Sequence, residues 1–430
     1  MVLVQASKLT LPNPSLSSPH ITSMLFEPNS LSLALMHSDS SFSLYPSFSP
    51  LSSTSFPSSH TLIPSPSSSS TFLLLQSSNP NSTSRVLFLV AAPHRAGSEI
   101  LLRFYILQKS KGFVRAPVVC SQKDLRFESN LGVLVNVKHG VSIKLAGSVN
   151  YFAMYSVSSS KIWVFAAKME DGDDDDGVVV KLMRCAVIEC SKPIWSLIIS
   201  FGFLLLGEEN GVRVFNLRRL VKGRVKKDKN LKPESRGISE LACNGDVECR
   251  MGKHRGPVKQ MNAKFRQDDR DGCTCFVALK RNEVETKSTT KVMSVKAISI
   301  QALSQRMFMI LDSAGDLHLL CLSNSVMGGN IAGCMRQFPH TMKVQNLATL
   351  PDVSMRSQTV WISDGYHSVH LLATMDMDNA LNATDGDEKL LHLPAIQVIF
   401  SSERIQDVIS LASNAILILG QGSLYAYAIS

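Results

Sequence analysis

The sequence feature that most constrains the fold is a unit made of an apolar strand, a tight polar turn and a second apolar strand. Its clearest copy runs from Phe203 to Asn216 and turns at Asn210 and Gly211. Asn-Gly between apolar runs favours a β-hairpin with positive φ at both turn residues. Short apolar runs broken by Gly, Ser, Asn and Asp recur throughout the chain, and this pattern predicts an all-β fold.

The same hairpin pattern occurs seven times. The turns lie near positions 39, 96, 159, 210, 314, 365 and 421, so that five of the six intervals span about 50 to 65 residues and one spans about 104. Spacing of this size is typical of a β-propeller, in which each four-stranded blade buries its faces only against its neighbours. We therefore predict that residues 1–430 form a single seven-bladed β-propeller, with an insertion in the long interval.

The two ends of the sequence favour closure of the ring. The sequence ends inside the seventh hairpin, which leaves the last blade without an outer strand. A further strand is predicted at Val2–Leu9, where it is free to fill this place and remove an exposed sheet edge. We expect this N-terminal strand to pair in the last blade.

One hairpin also carries a family resemblance. The segment Gly207-Glu208-Glu209-Asn210-Gly211-Val212-Arg213-Val214-Phe215-Asn216 resembles the Asp-Gly-x-Val-x-Val-Trp-Asp end of the blades in the WD-repeat-like propeller superfamily. With the strand-turn-strand periodicity, the resemblance covers nearly the whole chain. Rigid loops on a stacked β framework bind partners with little ordering cost. We expect a non-catalytic protein–protein interaction scaffold that is a subunit of an intracellular complex.

Three segments do not fit a blade. Residues 46–70 are dominated by Ser and Pro, and this composition predicts a disordered loop. Residues 170–177 hold an acidic run without the ligand spacing of an EF-hand, which predicts a solvated loop. Residues 218–271 are predicted to be a basic disordered insertion between blades. Arg218 to Arg270 contain 16 Lys and Arg against 7 Asp and Glu, a net +9 that equals the formal charge of the whole chain.

The basic insertion contains a dense cationic cluster formed by Arg218, Arg219, Lys222, Arg224, Lys226, Lys227, Lys229 and Lys232. Such clusters suit an importin groove, as a localisation signal, or nucleic-acid phosphates. Stacking aromatic residues are nearly absent, since the window from Arg218 to Arg270 holds only Phe265. We therefore favour nuclear targeting over direct contact with nucleic acid.

Other residue types give no catalytic or metal-binding pattern. Cys243, Cys249, His254, Cys273 and Cys275 lie close in sequence, but their spacing does not match that of structural zinc sites. His139, His318, His367 and His370 lie in or beside predicted strands and are expected to be structural or surface histidines. We expect no enzymatic activity, no cofactor and no metal.

The function is thus predicted as a scaffold that binds other proteins, with no membrane partner. A nucleic-acid-associated subunit is the first alternative, and a propeller hydrolase is the second. The nucleus is favoured as the location, the cytoplasm is the alternative, and a plastid is less favoured. The plastid stays open because the first 84 residues are rich in Ser and contain no Arg.

Overall fold

The strands of the protein form seven sheets, which we describe from a computed structural model. The structure describes residues 4–9, 19–49, 56–57, 60–77, 83–108, 112–120, 122, 125–128, 132–138, 141–170, 178–222, 263–268, 274–279, 294–324, 331–338, 342–350, 358–374 and 395–429.

The first strand and the first two blades follow in chain order. The first strand is β1 (Val4–Leu9). Blade 1 consists of β2 (Ile21–Glu27), β3 (Ser32–His37), β4 (Phe42–Tyr45) and β5 (Thr61–Ile63). Blade 2 begins with β6 (Ser69–Leu75), β7 (Arg85–His94) and β8 (Glu99–Gln108), with a short 3-10 turn at Arg95–Gly97. The next strands are β9 (Gly112–Arg115), β10 (Val118–Val119), β11 (Arg126–Glu128) and β12 (Gly132–Asn136). Both β9 and β12 pair with β8, and β11 extends the sheet beyond β12.

The long interval between the hairpin turns near positions 210 and 314 adds one strand to blade 3 and one to blade 4. Blade 3 consists of β13 (Ile143–Gly147), β14 (Tyr151–Ser156), β15 (Lys161–Glu170) and β16 (Val179–Glu189). Blade 4 begins with β17 (Ser196–Ser200), β18 (Phe203–Glu208) and β19 (Gly211–Asn216). Helix α1 (Leu217–Lys222), β20 (Ala263–Arg266) and β21 (Thr274–Ala278) follow. Strand β21 completes blade 4, whereas β10 and β20 pair in parallel with β16 of blade 3.

Three regular blades complete the ring. Blade 5 consists of β22 (Ala297–Ala302), β23 (Met307–Asp312), β24 (Leu317–Asn324) and β25 (Ile331–Gln337). Blade 6 consists of β26 (Asn346–Thr349), β27 (Gln358–Ser363), β28 (Ser368–Thr374) and β29 (Ala395–Phe400). Blade 7 consists of β30 (Asp407–Ala412), β31 (Ala415–Leu419) and β32 (Leu424–Ile429), with β1 as its outer strand.

The ring closes through the N-terminal strand. Strand β1 pairs antiparallel with β32, from Val4 opposite Ile429 to Leu9 opposite Leu424. Leu9 is buried in the apolar cluster between blades 7 and 1. The predictions of a seven-bladed propeller and of closure by the N-terminal strand are therefore confirmed.

The core is divided among the seams between blades. The described residues contain seven apolar clusters, and each lies between two neighbouring blades. In β7, Phe88 faces blade 1, whereas Leu87 and Leu89 face blade 3. Successive strand residues point to opposite faces. Because both faces are buried, the hairpin strands carry continuous apolar runs rather than alternating ones.

Polar side chains also join the inner strands across several seams. The Thr71 hydroxyl accepts a hydrogen bond from the Gly147 amide (2.9 Å). The Ser196 hydroxyl donates to the Ala297 carbonyl (2.8 Å), and the Thr349 hydroxyl donates to the Ala302 carbonyl (3.1 Å). These bonds use backbone groups that the sheet ladders leave free, so they fix neighbouring blades against each other.

Some segments differ from the sequence predictions. Strands β5 and β6 begin within residues 46–70, where a disordered loop was expected. Helix α1 and β20 lie within residues 218–271, also expected to be disordered. Each of these elements buries apolar side chains against a blade, such as Ile63 in β5 and Leu220 in α1. Within the predicted acidic loop at 170–177, Glu170 ends β15 and residues 171–177 lie outside the described residues.

The fourth hairpin turns one residue earlier than expected. Glu208 is opposite Gly211, so the two turn residues are Glu209 and Asn210. Asn210 has a φ of 60°, whereas Gly211 lies outside the positive-φ region. Gly211 is required for a different reason, because a Cβ atom there would lie 2.4 Å from Phe276 Cζ and 2.6 Å from the Val277 carbonyl oxygen of β21.

Candidate functional site

One face of the ring presents the seven hairpin turns together with the connections between blades. We call it the upper face. In every blade a backbone hydrogen bond joins the hairpin turn to the connection between blades. In blade 6 the Gln345 amide donates to the Ser363 carbonyl (2.8 Å). Blade 7 has the corresponding bond from the Gln406 amide to the Leu419 carbonyl (2.8 Å). These loops are held in place before any partner binds, which lowers the ordering cost of recognition.

The upper face contains a polar cavity of about 310 Å³ between blades 6 and 7. Its lining consists of Gln345, Asn346, Gly365, Arg404, Ile405, Gln406 and Gln421. Four of these side chains are amides, which can each donate and accept hydrogen bonds, and one is a guanidinium. We call this cavity the blade 6–7 cavity.

Arg404 lines the blade 6–7 cavity and packs on the ring of Tyr366, which lies beside the cavity. The Arg404 Nε donates to the Gly365 carbonyl (3.4 Å), and the guanidinium lies 5.2 Å from the centre of the Tyr366 ring. Its terminal nitrogens have no hydrogen-bond partner among the described residues. Tyr366 is 53% exposed. Arginine and tyrosine are enriched at the centres of protein interfaces, where they anchor partners.

The neighbouring carboxylates have structural partners. Asp364 accepts hydrogen bonds from the Tyr366 amide (2.8 Å) and the Ser368 hydroxyl (2.8 Å). Burial opposes ionisation of Asp364, but these and other donors lower its pKa below its ordinary value. Glu403 accepts from the Gly422 amide (2.9 Å) and the Tyr425 hydroxyl (3.0 Å). Its pKa is also lowered, because its donors outweigh the effect of burial. Both carboxylates therefore shape the turns.

A glycine keeps the blade 6–7 cavity open. Gly365 has a φ of 73°, in the left-handed region that other residues rarely adopt. A Cβ atom there would lie 2.1 Å from the Gln345 Oε1 atom. A side chain at this position would push Gln345 aside, so the shape of the cavity depends on Gly365.

A larger cavity of about 420 Å³ lies on the opposite, lower face between blades 1 and 2. Its lining includes Asn29, Ser30, Arg85, Gln108 and Gly112. The Ser30 hydroxyl is already bonded to the buried Glu27 (2.7 Å). We place the binding site at the blade 6–7 cavity instead, because Arg404 in its lining packs on the exposed ring of Tyr366.

The structure describes three residues of the predicted basic cluster. Arg218, Arg219 and Lys222 lie in α1, where Arg218 and Lys222 are exposed and Arg219 is half-buried. Leu217 and Leu220 of the same helix are buried in the cluster between blades 3 and 4. The helix thus fixes the start of the basic segment to the ring. Arg224, Lys226, Lys227, Lys229 and Lys232 lie outside the described residues.

The other end of that segment is also fixed between blades 3 and 4. Phe265 of β20 is 3% exposed. Asp268 lies 3.4 Å from Arg213 Nη2, and the Arg213 Nε lies 2.5 Å from Glu208 Oε1. A buried charge of this kind is stable only when it is paired. Sequence reasoning missed this anchor because its members are far apart in the chain.

His318, one of the histidines noted in the sequence, is part of a structural pair. His318 Nε2 lies 2.9 Å from Asp312 Oδ2, and both side chains are buried. Asp312 Oδ1 accepts from the Ala314 amide (2.8 Å), so this pair holds a hairpin turn. Among the described residues, no three His, Cys, Asp or Glu side chains converge to hold a metal ion. His139, Cys243, Cys249, His254 and Cys273 lie outside them. No helix in the described part of the chain has the length and apolar character to span a bilayer.

The topology defines the class: the chain is a seven-bladed β-propeller, the fold that the sequence resemblance implied. The β-propeller domain of Cps50 (Swd1) from Myceliophteria thermophila is similar, with a TM-score of 0.49, 8% identity and coverage of 99% of this chain and 100% of that chain. The structure of U3-55K has a TM-score of 0.47 and 8% sequence identity, and the match covers 98% of each chain. The WD40 repeats of RRP9 also have a TM-score of 0.47 and 8% identity, and that match covers 99% of this chain and 97% of the RRP9 chain. Neither a protein-family model nor a curated protein matches the sequence.

Proposed function

We propose that this protein is a non-catalytic protein–protein interaction scaffold, and that the blade 6–7 cavity receives a peptide segment of a partner protein. The observation that carries the proposal is the pre-formed cavity lined by Arg404 and four amide side chains, with the exposed Tyr366 packed on Arg404 beside it. A peptide backbone offers both donors and acceptors to such a lining. Tyr366 and Arg404 supply the exposed aromatic and cationic contacts.

The test compares two arginines on opposite faces. Arg404→Ala removes the cation that lines the blade 6–7 cavity. Arg306→Ala changes an exposed arginine in the connection between β22 and β23 on the lower face. We expect affinity purification of the nuclease-treated full chain, followed by mass spectrometry, to recover a stoichiometric set of proteins. Arg404→Ala is expected to weaken their binding by about tenfold or more, as for interface anchors. Equal loss with both variants, or no loss with Arg404→Ala, contradicts the proposal.

We also propose that the basic cluster directs the protein to the nucleus through an importin. Arg218 and Lys222 support this proposal, because α1 presents them to solvent at a fixed place on the ring. Replacement of the eight cluster residues by Gln is expected to shift a fluorescently labelled protein from the nucleus to the cytoplasm. An unchanged distribution contradicts this part of the proposal, and a plastid signal would favour the transit-peptide alternative.

Direct binding of nucleic acid by the basic cluster is the alternative that the same exposed cations favour. It makes a distinct prediction, because contacts with phosphates release counterions and weaken steeply as salt rises. If the recovered proteins are lost with nuclease, or with removal of residues 223–262, while Arg404→Ala has no effect, the nucleic-acid function replaces the scaffold function.

A further inference from the structure

Two cysteines lie directly opposite each other in blade 5. Cys321 of β24 and Cys334 of β25 are Cα partners in the antiparallel pairing. Side chains of directly opposed residues project from the same face of a sheet. The two thiols are joined by a hydrogen bond, and neither belongs to a disulfide.

The backbone spacing at this pair allows a strained covalent link. On the other side of β24, the Leu322 amide donates to the Arg306 carbonyl (2.8 Å). Because backbone groups alternate along a strand, those of Cys321 point toward β25, and Cys321 and Cys334 form a hydrogen-bonded pair. The Cα atoms of such a pair are about 5.5 Å apart. This Cα separation lies within the range seen across disulfides, but the Cβ atoms of a hydrogen-bonded pair are farther apart than a relaxed disulfide needs. The link therefore strains the strand pair, and such strain makes a disulfide more easily reduced.

The two thiols differ in their surroundings. Cys334 is exposed, whereas Cys321 is 4% exposed and packs in the apolar cluster between blades 5 and 6. The hydrogen bond with Cys334 and burial raise the pKa of Cys321. Cys321 therefore stays protonated and can donate a hydrogen bond to a thiolate at Cys334. This arrangement places the accessible nucleophile outside and the second thiol directly behind it.

We propose that Cys321 and Cys334 form a reversible redox modification site that reacts with low-molecular-weight disulfides such as glutathione disulfide. The Cys334 thiolate attacks one sulfur of glutathione disulfide, which forms a mixed disulfide and releases one glutathione thiolate. Cys321 then loses its proton to solvent, and its thiolate attacks the Cys334 sulfur and releases the second glutathione as a thiolate, which takes up a proton from solvent. Two protein thiols are oxidised to one disulfide while glutathione disulfide is reduced to two glutathione molecules.

The disulfide would join β25, the outer strand of blade 5, to β24 on the side that faces blade 6. Gly333, beside Cys334, packs so closely on blade 4 that a Cβ atom would lie 2.8 Å from Val277 Cγ2. Cys321 faces blade 6. Oxidation therefore joins β25 covalently to β24 beside the seam with blade 6.

The sequence allows a direct test. Trypsin releases Met307–Arg336 as one peptide that contains Cys321 and Cys334 and no other cysteine. The folded full chain is equilibrated in buffers of varied glutathione to glutathione disulfide ratio, alkylated under denaturing conditions and digested without reductant. We expect this peptide to pass from doubly alkylated to unalkylated and lighter by two hydrogen atoms, and dithiothreitol to reverse the change.

The matched variants separate the pair from other thiols. Cys334→Ser changes an exposed residue and is expected to leave Cys321 alkylated at every ratio. Cys275→Ser changes a thiol of β21 that lies opposite Val214, and it should leave the oxidation of the pair unchanged. The proposal is overturned if the wild-type peptide stays doubly alkylated at all ratios. It is also overturned if Cys334 only accumulates glutathione while Cys321 remains alkylated.

Discussion

Single residues in this ring are constrained mainly by the close approach of neighbouring strands. Gly211 and Gly365 illustrate two different constraints. Gly365 combines a φ of 73° with contact to Gln345, whereas Gly211 has no positive φ and is limited only by the space left by β21. The turn residue that does adopt positive φ in the fourth hairpin is Asn210. Asparagine tolerates this conformation better than most residues.

Gly211→Ala is expected to destabilise the protein by about 1 to 3 kcal/mol, because the new methyl group overpacks against Phe276 and the Val277 carbonyl. The measurement is the free energy of unfolding in urea. Gly422→Ala is the matched control, since a Cβ atom at Gly422 meets nothing within 4 Å. Equal stability of the two variants would show that β21 does not pack on β19 as described.

Asp407 makes the stability depend on pH at the seam between the last and first blades. Its carboxylate accepts hydrogen bonds from the Met24 amide (2.9 Å) and the Val408 amide (2.9 Å). Burial raises the pKa of Asp407 from 3.8 to about 6 despite these bonds. Because the pKa is higher in the folded state than in the unfolded chain, ionisation favours unfolding. The contribution of this group to stability is therefore lost as pH rises between these two values.

The unfolding free energy of the wild-type protein should fall between about pH 4 and about pH 7. In Asp407→Asn we expect this fall to be smaller by about 1 to 2 kcal/mol, a figure that allows for partial solvent screening. Urea unfolding of both proteins across this range checks the prediction. Asn has one acceptor oxygen where Asp has two, so the variant is expected to be less stable at every pH. The informative quantity is therefore the slope of the unfolding free energy with pH. Parallel curves for the two proteins would contradict the assignment.

At the scale of elements, the outer edges of the blades are completed by segments from elsewhere in the chain. Strand β1 covers β32, and β10 and β20 cover the two ends of β16. Between β10 and β20, the buried Gln122 side chain takes the place of a strand. It donates to the Arg184 carbonyl (2.8 Å) and accepts from the Arg184 amide (2.7 Å). Covered edges remove free backbone groups that would otherwise pair with other chains.

Deletion of residues 1–9 is expected to lower the unfolding free energy by at least about 2 kcal/mol, because Leu9 leaves its buried position between blades 7 and 1. It should also promote self-association through the exposed edge of β32. Urea unfolding and light scattering measure the two effects. Deletion of residues 1–3 retains all of β1 and serves as the control. A chain without residues 1–9 that stays monomeric and equally stable would exclude the closure.

At the scale of the whole molecule, stability is distributed over the seven seams. Each apolar cluster joins two neighbouring blades, and no blade buries both faces by itself. The basic segment leaves and rejoins this ring at one seam, through α1 and through β20 with Asp268. Its described ends are therefore part of the packed structure.

Replacement of residues 223–262 by a flexible Gly/Ser linker is expected to change the unfolding free energy by less than about 1 kcal/mol, because loop-closure entropy depends weakly on length. Thermal and urea unfolding check this outcome. A larger deletion of residues 219–270 removes Leu220, Phe265 and Asp268 and is expected to destabilise blades 3 and 4. If the two deletions behave alike, the anchoring of both ends is wrong.

The local pattern of the sequence predicted the repeated part of the fold well. All seven hairpins were located, because apolar runs broken by short polar turns follow from the burial of both blade faces. Strands β5 and β6 were missed because Ser and Pro dominate their surroundings and hide short apolar runs such as Thr61–Ile63. The blade 6–7 cavity was not predicted, since Gln345, Arg404 and Gln421 are separated by many residues and no local pattern relates them.

The sequence by itself therefore determined the number of blades, the positions of their central hairpins and the closure of the ring, since these depend on local periodicity and on hydrophobic burial. Only the tertiary structure decided which distant residues meet. Asp268 reaches Arg213, Gln122 completes the edge of β16, and Cys334 lies opposite Cys321 through the placement and register of strands. A shift of one residue in a register moves every side chain to the other face of the sheet, and composition and spacing do not fix this choice.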